Sequence, residues 1–163
     1  SCYPKDVKAL IKSGSEQGFD FEILKSTEDV NQKQKTILVP AIEEYFNGNI
    51  EGKKIAVWGL AFKANTDDIR EASSLDNIAL LLEKGAEVVA FDSIAEDNVQ
   101  KILGNKISYA KDMYSALEDA DALLICTEWP EFKNPNFELI AKKLKNKAIF
   151  YKSIGRKTVQ SEK

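Results

Sequence analysis

The sequence predicts an α/β fold: a helical leading segment over roughly residues 1–50, then a five-stranded, doubly wound parallel sheet of the Rossmann type. Two observations carry this. From Lys54 onward, short apolar runs alternate with helical patterns, which calls for parallel strands joined by right-handed crossovers with helices on both faces. The runs Lys54–Trp58 and Ala122–Cys126 are continuously apolar rather than alternating, as strands covered on both faces are. A chain of 163 residues is long enough for one such domain plus an appended helical segment.

Pro4 suits the first turn of a helix, where its missing N–H is not needed. Val7, Leu10 and Ile11 follow at helical spacing, and Gly14 and Gly18 end the element. The stripe Val30, Ile37, Leu38, Ala41, Ile42, Tyr45 and Phe46 marks a longer helical region over Asp29–Phe46, closed by Asn47-Gly48-Asn49. Pro40 lies inside it and predicts a kink or two shorter helices. The broad apolar face of this region predicts packing against a domain or another subunit. Strands are then expected at Lys54–Trp58, Glu87–Phe91, Ile107–Ala110, Ala122–Cys126 and Ala148–Tyr151. Helices are expected at Glu71–Gly85, Glu96–Leu103, Asp112–Glu118 and Asn136–Leu144, with a polar, mobile tail after Ile154.

The formal net charge of −3 gives no reason to expect nucleic acid or an anionic membrane as partner. No apolar run approaches the roughly 20 residues needed to span a bilayer. Two cysteines, Cys2 and Cys126, make no disulfide framework and fit a reducing cytoplasm. The absence of histidine removes Ser-His-Asp and Cys-His nucleophiles and most zinc sites, so no metal is expected. Catalysis would have to use Cys, Asp, Glu, Lys or Tyr.

In a doubly wound sheet, ligands bind beyond the carboxyl ends of the strands. The first strand ends in Gly59-Leu60-Ala61-Phe62-Lys63, a degenerate phosphate loop whose alternative is a plain strand-to-loop turn. A long polar connection follows, as functional loops have. In it Lys63 and Arg70 can hold phosphate oxygens, or can simply pair with Asp67 and Asp68. Cys2 stands just before a helix N-terminus, beside Lys5 and one helical turn from Asp6, a setting that favours a thiolate. Without histidine it remains a possible nucleophile toward an aldehyde. Cys126 reads as core. The loop Thr127-Glu128-Trp129-Pro130-Glu131-Phe132 reads as core capping or as a pocket wall.

Three stretches together resemble a known family. Ser1-Cys2-Tyr3-Pro4-Lys5-Asp6-Val7 is similar to the catalytic-cysteine motif of the UDP-sugar dehydrogenases, the UDP-glucose/GDP-mannose dehydrogenase family. Gly59 to Lys63 and Thr66 to Ser74 are similar to the signature of its C-terminal domain. Ile125 to Phe132 most resembles its UDP-glucose 6-dehydrogenase branch. The resemblance implies a two-step oxidation of UDP-glucose to UDP-glucuronate with two NAD. In it Cys2 attacks the C6 aldehyde and Asp6 assists thioester hydrolysis. It places Lys5 and Arg70 against NAD, Phe62 and Lys63 against the UDP-sugar, and Asp29–Phe46 in a homodimer core. Related dehydrogenases of UDP-N-acetylmannosamine or GDP-mannose, and a non-catalytic nucleotide-binding or dimerisation module, are the alternatives.

Two departures qualify it. The chain begins mid-motif, and the NAD-binding domain that precedes the cysteine in the family is not in it, so this sequence alone is expected to be inactive. Where the family reads Asp-Gly-Arg after the last strand, Phe150 to Gly155 is followed by a displaced Arg156. The expected division is a helical linker carrying the cysteine motif at 1–50 and a UDP-sugar-binding domain at 51–163.

Overall fold

The computed structural model describes the backbone of residues 2–153 and 156–160, with side chains from Lys5 to Tyr151. Three helices lead: α1 (Cys2–Glu16), α2 (Glu22–Lys35) and α3 (Leu38–Tyr45). The rest alternates: β1 (Lys54–Trp58), α4 (Ser73–Glu83), β2 (Glu87–Phe91), α5 (Glu96–Leu103), β3 (Ser108–Tyr109), β4 (Ala122–Ile125), α6 (Pro130–Lys133), α7 (Phe137–Lys143), β5 (Ala148–Ser153) and β6 (Arg156–Gln160). The strands form one sheet in the order β3-β2-β1-β4-β5-β6. Strands β1 to β5 run parallel, as expected, with the switch point between β1 and β4. The expected mobile tail is corrected: the backbone of β6 pairs antiparallel with β5, Phe150 opposite Val159.

Central strands alternate their side chains between two cores. Ile55 and Val57 point to the face covered by α3, α4 and α5, where they meet Leu38, Ile42, Ile78 and Val99. Ala56 and Trp58 point to the other, where Phe132, Ile140, Leu144 and Leu117 cover them. Burial on both faces is why β1 and β4 read as unbroken apolar runs. The helix expected over Asp112–Glu118 is only a 3₁₀ turn at Ser115–Leu117. Asp112 Oδ1 accepts from the N–H groups of Tyr114 and Ser115 at 2.9 Å each, and such local bonds compete with a helical ladder.

The region around Pro40 resolves as two helices. The chain breaks at Thr36 and restarts so that Pro40 falls in the first turn of α3, where an N–H has no helical acceptor. Leu38, Val39 and Ile42 are buried in the sheet's own core, so that core continues across residue 50. Of the two coverings expected for this apolar face, a domain or another subunit, Leu38, Val39 and Ile42 have the first. The outward apolar side chains are instead Leu10, Phe19, Ile23 and Val30, on α1, α2 and their connection. Among the described residues, no helix is long and apolar enough to cross a membrane. Because Ile42 is fully buried within the domain, Ile42→Ala should cost about 3 kcal/mol in denaturant unfolding. Light scattering should show no change in oligomeric state.

Candidate functional site

The carboxyl ends of the strands are organised around the turn after β1. Gly59 adopts φ +88, and a Cβ there would stand 2.5 Å from the Thr127 Cβ. Its N–H donates to the Phe91 carbonyl at 2.9 Å, and the Phe62 N–H to the Asp68 carbonyl at 2.8 Å. The Leu60 and Ala61 N–H groups donate to the Asp92 carboxylate at 2.7 and 3.1 Å. The degenerate phosphate loop is therefore corrected to a turn: the N–H groups that would cradle a phosphate are already bonded within the protein.

The connection that follows is folded on itself. Arg70 forks Asp68, Nε to Oδ1 at 2.9 Å and Nη2 to Oδ2 at 2.8 Å, while its side chain is 80% exposed. Lys63 is exposed and makes no ion pair with the described residues. The connection ends at Glu71, held at φ +57. Its carboxylate accepts from Lys35 of α2 at 2.6 Å and from Lys8 of α1 at 3.0 Å. Lys8 also reaches Glu28 at 3.4 Å. Glu71 thus clamps the helical segment to the sheet domain. The bonds from Lys35, then Lys8, hold its carboxyl below the ordinary glutamate range, and the bond to Glu71 raises Lys8. Asn77, buried on α4, ties the same corner by donating to the Lys35 carbonyl at 2.8 Å.

Above the ends of β4 and β5 opens a cleft of about 670 Å³, within the range of small-molecule sites. Leu38, Ile140 and Ile149 form part of its apolar wall, with the aromatic rings of Phe62, Phe137 and Tyr151. Glu28, Lys35, Glu128 and Lys133 bring charge to it. Thr127 and Cys126 complete the wall at the end of β4, where Thr127 Oγ1 donates to the Ala61 carbonyl at 2.7 Å. Burial pushes the Cys126 thiol up to about 12. The Thr127–Phe132 loop takes both roles that its sequence allowed. Glu128 and Phe132 line the cleft, while Trp129 is buried beneath and donates to Asp92 at 3.1 Å.

Of the residues singled out in the sequence, Phe62 lines the cleft. Lys5 and Asp6 are exposed on α1, and neither they nor Lys63 and Arg70 belong to its lining. Cys2 opens α1, but its side chain lies outside the described residues, as does that of Arg156 in β6. Lys35, Glu71, Asn77 and Asp92 escaped the sequence reading. Asp92 closes the second apolar strand and Glu71 lies within the Thr66–Ser74 signature, but neither position disclosed its bonding role.

Residues 56–153 match the UDP-glucose/GDP-mannose dehydrogenase family, UDP binding domain. The chain belongs to this family. The match runs from within β1 to the end of β5 and takes in the cleft lining from Phe62 to Tyr151, while Glu28 to Leu38 of the lining lie before it. The UDP-glucose 6-dehydrogenase of Pseudomonas aeruginosa is 43% identical over 145 residues, covering 86% of this chain and 32% of that protein. The UDP-glucose 6-dehydrogenase TuaD of Bacillus subtilis is 40% identical over 149 residues, covering 91% and 32%. A solved UDP-glucose dehydrogenase from Pyrobaculum islandicum superposes with TM-score 0.83 at 32% identity, covering 93% of this chain and 33% of that one. The chain therefore spans about a third of the length of these relatives.

Two outcomes follow. With its thiol pushed up to about 12, Cys126 should resist alkylation by iodoacetamide at neutral pH and react only as pH approaches that value. Mass spectrometry of the labelled peptide reads this directly. The Glu71 clamp contributes stability above the ordinary carboxylate range and loses it as pH falls through Glu71's lowered value. Glu71→Gln should therefore cost about 0.5–1 kcal/mol near neutral pH, and that difference should close at acid pH.

Proposed function

We propose that this chain is the nucleotide-sugar-holding part of an NAD-dependent dehydrogenase that oxidises UDP-glucose to UDP-glucuronate. The observation that carries the reading is the cleft over β4 and β5, where Phe62 of the family signature meets the Cys126–Glu128 wall and Tyr151. In this reading the aromatic rings of Phe62, Phe137 and Tyr151 offer faces for a base. Glu128 faces a sugar and Lys133 the diphosphate, with Lys63, next to Phe62 and outside the lining, as a second cation for it. The identities of 43% and 40% to UDP-glucose 6-dehydrogenases support glucose over the other family substrates. A solved UDP-D-ManNAc dehydrogenase from Pyrococcus horikoshii is 27% identical at TM-score 0.70.

Cys2 is the proposed nucleophile toward the C6 aldehyde, since a thiolate at a helix N-terminus beside Lys5 needs no histidine. The attack would give a thiohemiacetal, which becomes a thioester only once its C6 hydride has passed to an acceptor, and Asp6, one turn along α1, is proposed to orient the water that hydrolyses that thioester. NAD would supply the hydride acceptor, but the described residues do not fit it. The turn after β1 has no spare N–H for a pyrophosphate, and the acid at the β2 tip is fully bonded. The proposed NAD contacts of Lys5 and Arg70 are accordingly contacts to a cofactor held mainly elsewhere, and the chain by itself is proposed to bind substrate without turning it over. A homodimer through the helical segment belongs to the same reading, with Leu10, Phe19, Ile23 and Val30 exposed on that side.

Calorimetric titration of the chain with UDP-glucose, UDP, UDP-N-acetylmannosamine and GDP-mannose tests this. Binding of UDP-glucose and UDP at least about tenfold tighter than GDP-mannose is expected, and Lys63→Ala should weaken both by about the same factor. Equal binding of all four, or of none, contradicts it.

A further inference from the structure

The acid at the tip of the second strand usually receives the ribose hydroxyls of a bound dinucleotide, while the turn after the first strand gives its N–H groups to the pyrophosphate. Here those two features are bonded to each other. Asp92 is 3% exposed. Its Oδ2 accepts from the N–H groups of Leu60 at 2.7 Å and Ala61 at 3.1 Å, and from the indole Nε1 of Trp129 at 3.1 Å. Its Oδ1 accepts from the N–H groups of Ile94 at 2.9 Å and Ala95 at 2.8 Å. A carboxylate offers about four lone-pair sites, so these donors leave none for a ribose diol. The carbonyls of the same turn also face inward: Leu60 accepts from Ser74 Oγ at 2.6 Å and Ala61 from Thr127 Oγ1 at 2.7 Å.

We propose that Asp92 is a positioning residue that joins the loops after β1, β2 and β4 and closes the ribose position at the β2 tip, so that a nucleotide is admitted only on the β4–β5 side of the switch point. Leu60 and Ala61 immediately precede Phe62, which lines the cleft, and Trp129 lies between Glu128 and Phe132, which wall it. Fixing those residues fixes two walls at once. The location of the cleft on the β4–β5 side agrees. The effect on affinity rests on the nucleotide-sugar reading above; the effect on the loop does not.

The test compares Asp92→Asn with Asp121→Asn in the 163-residue chain. Asp121 is a second buried carboxylate, at the opposite end of the sheet, accepting from the Lys54 N–H at 3.0 Å and Asn146 Nδ2 at 3.1 Å. Both variants should lose stability, but only Asp92→Asn should weaken UDP-glucose binding, by at least about tenfold, with Asp121→Asn within about twofold of wild type. Hydrogen exchange at the Leu60 and Ala61 amides, corrected for global stability, should quicken only in Asp92→Asn. Unchanged affinity and unchanged exchange in a folded Asp92→Asn protein overturn the proposal. If the wild-type chain binds no UDP-sugar, the function proposed above fails, and exchange at these two amides decides the positioning role alone. Should Asp92→Asn not fold, Trp129→Phe removes one donor while keeping an aromatic ring in the core. About a threefold loss of affinity with faster exchange at Leu60 and Ala61 is then expected, and no change in either overturns the proposal.

Discussion

The turn after β1 is buried, and a buried backbone must find partners for every N–H and carbonyl it carries. From this constraint the rest of the binding end follows. Gly59 makes the turn, and the atoms that bond it come from distant segments: Asp92 after β2, Ser74 on α4, Thr127 after β4. The three strand-end loops are therefore one bonded unit rather than three independent connections. A phosphate cradle of free N–H groups cannot coexist with it, and the cleft opens instead on the β4–β5 side.

The helical segment is joined to the sheet by two kinds of force. Leu38, Val39 and Ile42 of α3 are buried in the sheet's core, each contributing about 1.5–3 kcal/mol by removal of apolar surface from water. Helix α2 buries no residue completely, and Lys35 and Lys8 meet at Glu71 in half-exposed pairs worth about 0.5–1 kcal/mol. Helix α3 is thus an integral part of the domain, while α1 and α2 hang on a polar clamp beside the cleft.

Much of the fold was legible because its signals are local. The unbroken runs Ile55–Trp58 and Ala122–Ile125 announce strands buried on both faces, and Glu96–Leu103 starts and stops where its pattern does. The misses have physical causes. Asp112 bonds its neighbours' N–H groups and leaves a turn in place of a helix, and the polar β6 draws its order from the edge of β5. In the site, Phe62 and the 125–132 loop were identifiable from motif and position. Asp92 was not, because its role is written in donors from residues 60, 61, 94, 95 and 129, which only the folded chain brings together. The apolar stripe at Ile37–Phe46 was visible, but periodicity alone does not say which surface covers it.

A nucleotide proposed to bind above β4 and β5 should be refused at the β2 tip. Amide chemical-shift mapping of the isotope-labelled chain during titration with UDP tests this most directly. Shifts concentrated at Phe62, Cys126 to Lys133 and Tyr151 are expected, with the amides of Asp92 to Ala95 little moved. Shifts centred on Gly59 to Ala61 and Asp92 to Ala95 instead would contradict it.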